Sequence, residues 1–101
     1  MPNRYHKPRK DANHAQIVST FRSLGAYVVD IAAVKNAFDI IVYHSGKTYS
    51  VEIKDGEKPP SARKLSKGEE ECKMGIESVG CEYHVISSVD EAVDLIGKGV
   101  S

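Results

Sequence analysis

The stretch FDIIVYHSGKTYSVEIKDG, Phe38 to Gly56, constrains this chain more than any other segment. Two runs rich in β-branched and aromatic residues flank Ser45-Gly46, which reads as two strands joined by a tight turn. The first run, Phe38 to Tyr43, is apolar on both faces except at Asp39, the pattern of a central strand covered on each side. The second alternates, with Tyr49, Val51 and Ile53 pointing one way and Thr48, Ser50, Glu52 and Lys54 the other. With a two-residue turn His44 pairs with Lys47, and counting back sets Asp39 directly across from Glu52. Opposed side chains on an antiparallel pair have Cβ atoms about 4.5–5.5 Å apart. Lys54, two residues beyond Glu52, shares that face. A turn one residue longer would break the alignment.

The rest of the chain supplies helices for this hairpin to pack against. Ile17, Val18, Phe21 and Leu24 recur at helical spacing from Asn13 onward, and Gly25 stops that helix. Ala26 to Ile31 reads as a first strand and VKNA as a loop. Gly56 and Pro59-Pro60 make DGEKPPSARKLS a loop. Ser66 with Glu69 forms a capping box for a second helix, with Cys72, Ile76 and Val79 as its apolar stripe and Gly80 as its stop. CEYHVIS is a fourth strand. Ser88 with Glu91 repeats the box before a last helix lined by Val89, Ala92, Val93 and Ile96 and stopped by Gly97. The order α-β-β-β-α-β-α predicts an α/β fold in one domain over residues 13–101, preceded by a basic, flexible arm at 1–12.

Composition limits the function without naming it. The 101 residues suffice for one core. No apolar run approaches the ~20 residues that cross a bilayer, and the N-terminal stretch MPNRYHKPRKDANH has no apolar leader, so a cytoplasmic location is expected. Cys72 and Cys81 are then reduced thiols, and their spacing to His84 matches no established zinc motif. The 14 basic and 14 acidic residues cancel, so bulk charge gives no support to a nucleic-acid partner. Their placement is uneven: Arg4, His6, Lys7, Arg9 and Lys10 crowd the arm, and Lys54, Lys58, Arg63, Lys64 and Lys67 follow the hairpin. Such clusters can contact phosphates or can simply be solvated.

Two carboxylates held close repel unless one takes a proton or a cation sits between them. Mg²⁺ is bound by one or two carboxylates with waters and substrate phosphate oxygens, a role open to Asp39 and Glu52. Lys54 alongside could deprotonate or orient a nucleophile, or neutralise charge on a phosphorane-like transition state. The plain alternative is an outer face of solvated Glu52 and Lys54, with Asp39 as a turn residue. An acid at the mouth of an otherwise apolar strand argues against it.

Phe38-Asp39 followed by VEIK at Val51 to Lys54 resembles the PD-(D/E)XK nuclease signature, and the element order is similar to that superfamily's core. More narrowly, DANHAQIV, VEIKDGEKPPSARKLS and VISSVDEAVDLI resemble the phage and bacterial virus-type replication-repair nuclease (VRR-NUC) branch, over about Asp11 to Ile96. The resemblance implies a restriction-endonuclease-like core, αβββαβ(α), with a central mixed four-stranded sheet flanked by helices. It further implies a Mg²⁺- or Mn²⁺-dependent endonuclease acting on branched DNA in the manner of Holliday-junction resolvases, as a homodimer with no organic cofactor, working in the host cytoplasm if phage-encoded.

By position, the resemblance makes Asp39 and Glu52 metal ligands together with the Ile53 main-chain carbonyl, and Lys54 the catalytic lysine. Phe38 stands where the motif has proline. Gln16 stands where relatives often carry a glutamate that assists the metal, and its amide oxygen is a further candidate ligand. Arg63, Lys64 and Lys67 would hold the DNA backbone, with Ser61, Lys58 and, from the arm, Arg9 and Lys10 adding to it. His14 could touch metal or phosphate or be an ordinary surface or capping histidine. A catalytically weakened nuclease fold that only binds DNA, suggested by Gln16 and Phe38, is the competing function; a purely structural α/β domain is a third.

Overall fold

The computed structural model describes residues 11–97; Arg9, Lys10 and the rest of the arm up to residue 10, and the last four residues, lie outside them. The elements are α1 (His14–Ser23), β1 (Tyr27–Asp30), β2 (Ile40–His44), β3 (Lys47–Ile53), a 3-10 turn (Pro60–Arg63), α2 (Lys67–Ser78), β4 (Glu82–Ile86) and α3 (Val89–Gly97). The four strands form one mixed sheet in the order β1-β2-β3-β4. Its first two pairings are antiparallel and the third, β3 with β4, is parallel. Parallel neighbours need a crossover, which the 3-10 turn and α2 provide. Pro60 opens that turn, where its missing N–H is no loss, so the stretch expected to be a plain loop carries a short helical turn.

One face of the sheet is dry. Ile40 and Val42 of β2, Tyr49, Val51 and Ile53 of β3 and Ile86 of β4 meet Ile17, Val18 and Phe21 of α1 and Ala92 and Ile96 of α3. These are the residues the periodicity selects, and each large apolar side chain fully buried there contributes about 1.5–3 kcal/mol. Leu24 is the exception on α1: it falls beyond the last helical turn and is exposed.

The other face is built differently. The register pairs Ser50 with Tyr83 and Glu52 with Val85, so these four share the face away from the core. The second helix lies against edge strand β4 and buries no residue fully. Of its expected apolar stripe, Cys72 and Ile76 are half-buried but Val79, at the C-cap, is 75% exposed, as is Met74 at 68%. What seats α2 is a close approach at its first turn: a Cβ on Gly68 would lie 2.5 Å from the Asn36 side chain. Ser66 caps it as expected, accepting from the Glu69 amide while the Glu69 carboxylate accepts from the Ser66 amide.

Candidate active site

The site grows out of the hairpin. Ser45 and Gly46 both have positive φ, 51° and 78°, the requirement of a two-residue type I′ turn. The register expected from that turn holds from His44↔Lys47 to Ile40↔Val51. One step further the ladder departs from the count. The Asp39 N–H donates to the carbonyl of Val51 at 3.0 Å, although Val51 is already the partner of Ile40. Two residues facing one is the arrangement of a β-bulge. Asp39 is thus not a ladder partner lying straight across from Glu52, and a bulge is the reason. Its Oδ2 accepts from the Ile53 N–H at 2.8 Å, taking the place of a backbone acceptor. Its own carbonyl accepts from the Ile31 N–H at 2.8 Å. Three main-chain groups therefore fix where this carboxylate points.

The bulge turns Asp39 toward Glu52. Glu52, only 5% exposed, is pushed up to about 8, first by burial and then by the charges of Asp39 and Glu69, against the pull of Lys54. Asp39 is also raised, by burial, although the Ile53 amide, His14 and a hydrogen bond from the Glu52 carboxyl oppose the shift. Both carboxyls are thus pushed toward the protonated form, because two buried acids side by side are costly to charge together.

Beside them, the Lys54 ammonium lies 3.3 Å from Glu52 Oε2 and 3.1 Å from Glu69 Oε1. Burial works against its charge, but the Glu69 hydrogen bond and the two carboxylates outweigh it, and the net shift is upward. Burial likewise opposes the charge on Glu69, yet the Ser66 amide and Lys54 hold it below the usual range. Glu69, read from the sequence only as a cap, is thus the second anchor of the lysine. The position three residues after Ser66 was its one visible signal.

The backbone behind Lys54 is also pinned. Its N–H donates to the Ile86 carbonyl at 3.0 Å, and its carbonyl accepts from the Asn13 side chain at 3.1 Å. Asn13 also donates to the Ser87 carbonyl at 3.0 Å, so the residue read as the start of α1 clamps the ends of β3 and β4. In an extended residue the N–H and C=O point to the same side of the strand. The Ile53 carbonyl therefore lies toward Asp39, whose carboxylate its N–H engages.

The other expected site residues are more scattered. His14 is 4% exposed, with Nε2 2.9 Å from Asp30 Oδ2, so it is not a surface histidine; it lines a cavity of about 310 Å³ with Arg22 and Asp30, and its charge bears on Asp39. Gln16 is exposed and lines a groove of about 350 Å³ with Asn13, Asp55, Ser87 and Asp90. The acid of α1's approach that does bear on Asp39 is Asp11, whose charge raises it. Lys58 leans toward Asp11 at 3.8 Å. Ser61, Lys64 and Lys67 are exposed, while Arg63 is partly covered, with a buried Nε that has no partner. Phe38 sets its ring edge-on against Tyr83 at 6.3 Å. Cys72 and Cys81 are free thiols, and His84 bonds Glu82 at 2.9 Å.

The donors at the pair are hard oxygens. Among the described residues no group of three or more His, Cys, Asp and Glu side chains could hold a metal ion, so an all-protein cage is not on offer. Two carboxyls that repel, with a carbonyl beside them, fit instead a hard divalent ion that keeps waters and takes further oxygens from a phosphate. Among the described residues no helix is long and apolar enough to cross a membrane.

Neither a family model nor a curated protein matches the sequence. A solved structure described as a VRR_NUC domain is similar to this chain, with a TM-score of 0.62 over 84% of this chain and 95% of that one, at 18% identity. The α/β architecture, a mixed four-stranded sheet between helices, is thus the restriction-endonuclease-like fold that the sequence resemblance implied.

Proposed function

We propose that this protein is a VRR-NUC-type nuclease, a divalent-metal-dependent endonuclease that hydrolyses phosphodiester bonds in branched DNA. The observation that carries the reading is the buried Asp39–Glu52 pair at the bulge with the Lys54 ammonium beside it. The fold shared with a VRR_NUC domain supports it.

Asp39, Glu52 and the Ile53 carbonyl would hold Mg²⁺ or Mn²⁺. A bound ion supplies Lewis-acid stabilisation and a more acidic water. The protein's own part is to present Asp39 in a fixed direction, to release the Glu52 proton, and to place a cation next to the scissile phosphate. Lys54, held by Glu52 and Glu69, would neutralise the developing negative charge and help to deprotonate or orient the nucleophile. Glu69 steadies it until the phosphate competes. Arg63, Lys64, Lys67, Lys58 and Ser61, on the crossover after the hairpin, grip the backbone, and Arg9 and Lys10 extend that grip along the duplex. A homodimer would set two such sites against two strands of a four-way junction.

Incubating labelled four-way junction, flap and linear duplex with Mg²⁺ or Mn²⁺ tests the reading. Cutting of branched substrates that disappears in Glu52→Ala supports it; intact substrates throughout, or equal cutting by the variant, refute it. One observation favours a second reading, a DNA-binding module with a weakened site: α1 has no acid in its first turn, and Gln16 there is a neutral amide, so the helix adds no negative charge to the site. That module would bind DNA in a salt-sensitive way and take up no Mn²⁺.

A further inference from the structure

Tyr83 carries a polar atom for which the resting protein has no use. It is 5% exposed, and its buried hydroxyl has no hydrogen-bond partner. Buried hydroxyls are normally paired, and leaving one unpaired lowers stability, so the exception calls for an explanation. Packing does not provide one: the Tyr83 ring meets Phe38 in an edge contact that phenylalanine would make equally well.

Position does. On β4, Tyr83 faces Ser50, and two residues along, on the same face, Val85 faces Glu52. The ring thus lies on the face of the sheet that carries Glu52, beneath α2. The charges of Glu52 and Glu69 and the Cys72 thiol all bear on the phenol and, after burial, keep its proton on, so it stands there as a donor. In the resting protein a donor already stands on Glu52, because the Lys54 ammonium spans Glu52 at 3.3 Å and Glu69 at 3.1 Å.

We propose that Tyr83 is a positioning residue: when Lys54 turns to the phosphate, the Tyr83 hydroxyl donates to the Glu52 carboxylate and holds it in the orientation that receives the divalent ion. The proposal rests on the nuclease reading. It explains why the hydroxyl is kept unpaired in the resting state, where it lowers stability, and it gives the Phe38 position a task, that of seating the Tyr83 ring.

The test compares wild type, Tyr83→Phe and Glu52→Ala in three measurements: melting of the metal-free protein, the Mn²⁺ dissociation constant, and cleavage kinetics on a four-way junction. Tyr83→Phe is expected to melt no lower than wild type without metal, to bind Mn²⁺ about tenfold more weakly, and to lose kcat with KM for DNA unchanged. A Tyr83→Phe protein that melts several degrees lower without metal overturns the proposal, because the hydroxyl is then an ordinary structural bond. Mn²⁺ affinity and kcat within about twofold of wild type also overturn it, while leaving the nuclease reading intact. If wild type neither binds Mn²⁺ nor cuts, the nuclease reading falls and this proposal falls with it.

Discussion

The two faces of the sheet are made of the same strands and follow opposite rules. Toward α1 and α3 lies a closed apolar layer in which Phe21, Ile17, Ile40, Ile53 and Ile96 are among the fully buried side chains. Toward α2 lies a looser layer that buries an acid, a phenol without a partner, and most of a lysine. Stability is concentrated in the first layer. The second gives some of it up, since a Glu52 kept neutral by its surroundings and an unsatisfied hydroxyl are both unfavourable in the resting state. Dry-face substitutions should therefore move stability and leave the rate per folded molecule unchanged, whereas α2-face substitutions should move activity.

The largest effect expected is on catalysis. Lys54→Ala should lower the cleavage rate by about 10²–10³-fold while Mn²⁺ still binds, because it removes charge stabilisation and leaves both carboxyls; single-turnover kinetics read this. On the opposite face, Phe21→Ala should destabilise by about 3–5 kcal/mol, measured by urea unfolding, with the rate per folded molecule unchanged. If Phe21→Ala instead abolished cutting by folded protein, the division between faces would be wrong.

The acid pair makes the stability of the metal-free protein depend on pH. Glu52 is pushed up to about 8 when folded and lies near its ordinary value of 4.5 when unfolded, so between those values the folded state binds the extra proton. Its contribution is fully present below the unfolded value and is lost as pH rises through 8, making the protein weaker toward alkaline pH. Urea unfolding from pH 5 to 8.5 should show this fall, and Glu52→Gln should flatten it. A smaller effect is expected at Gly68. Gly68→Ala places a methyl against Asn36 and should cost about 1–2 kcal/mol. It should also weaken the Glu69 hold on Lys54, seen as a changed pH profile for cleavage.

The fold was largely legible because its signals are local. Alternation from Thr48 to Lys54, the Ser45-Gly46 turn, Gly25 and the Ser66–Glu69 box each specify structure within a few residues; at the last helix the Ser88 hydroxyl accepts from the Glu91 N–H as expected, but the Glu91 carboxylate accepts from the Ser87 N–H, one residue before the expected box. In the candidate site, the nearness of Asp39, Glu52 and Lys54 was legible, but not how they are joined. The offset at Asp39 adds one residue to a strand without any residue type that marks it, so counting along the hairpin placed the acid on the ladder and missed the bulge. The Lys54–Glu69 pair and the Asn13 clamp join residues 15 and 41 or more positions apart, and such contacts exist only once the crossover has been made. Gln16 and His14 differ by two positions on one helix and so lie on nearly opposite sides of it, one facing a groove and the other buried.

The claim on which the account depends is that Asp39 and Glu52 converge on a single cation. Calorimetric titration of the protein with Mn²⁺ at pH 6.5 and at pH 8, with Asp39→Asn alongside, tests it most directly. The account predicts one saturable site that tightens toward pH 8, as the Glu52 proton leaves more readily, and that is lost in Asp39→Asn. Binding that ignores both pH and Asp39→Asn, or no binding to the wild-type protein, would contradict it.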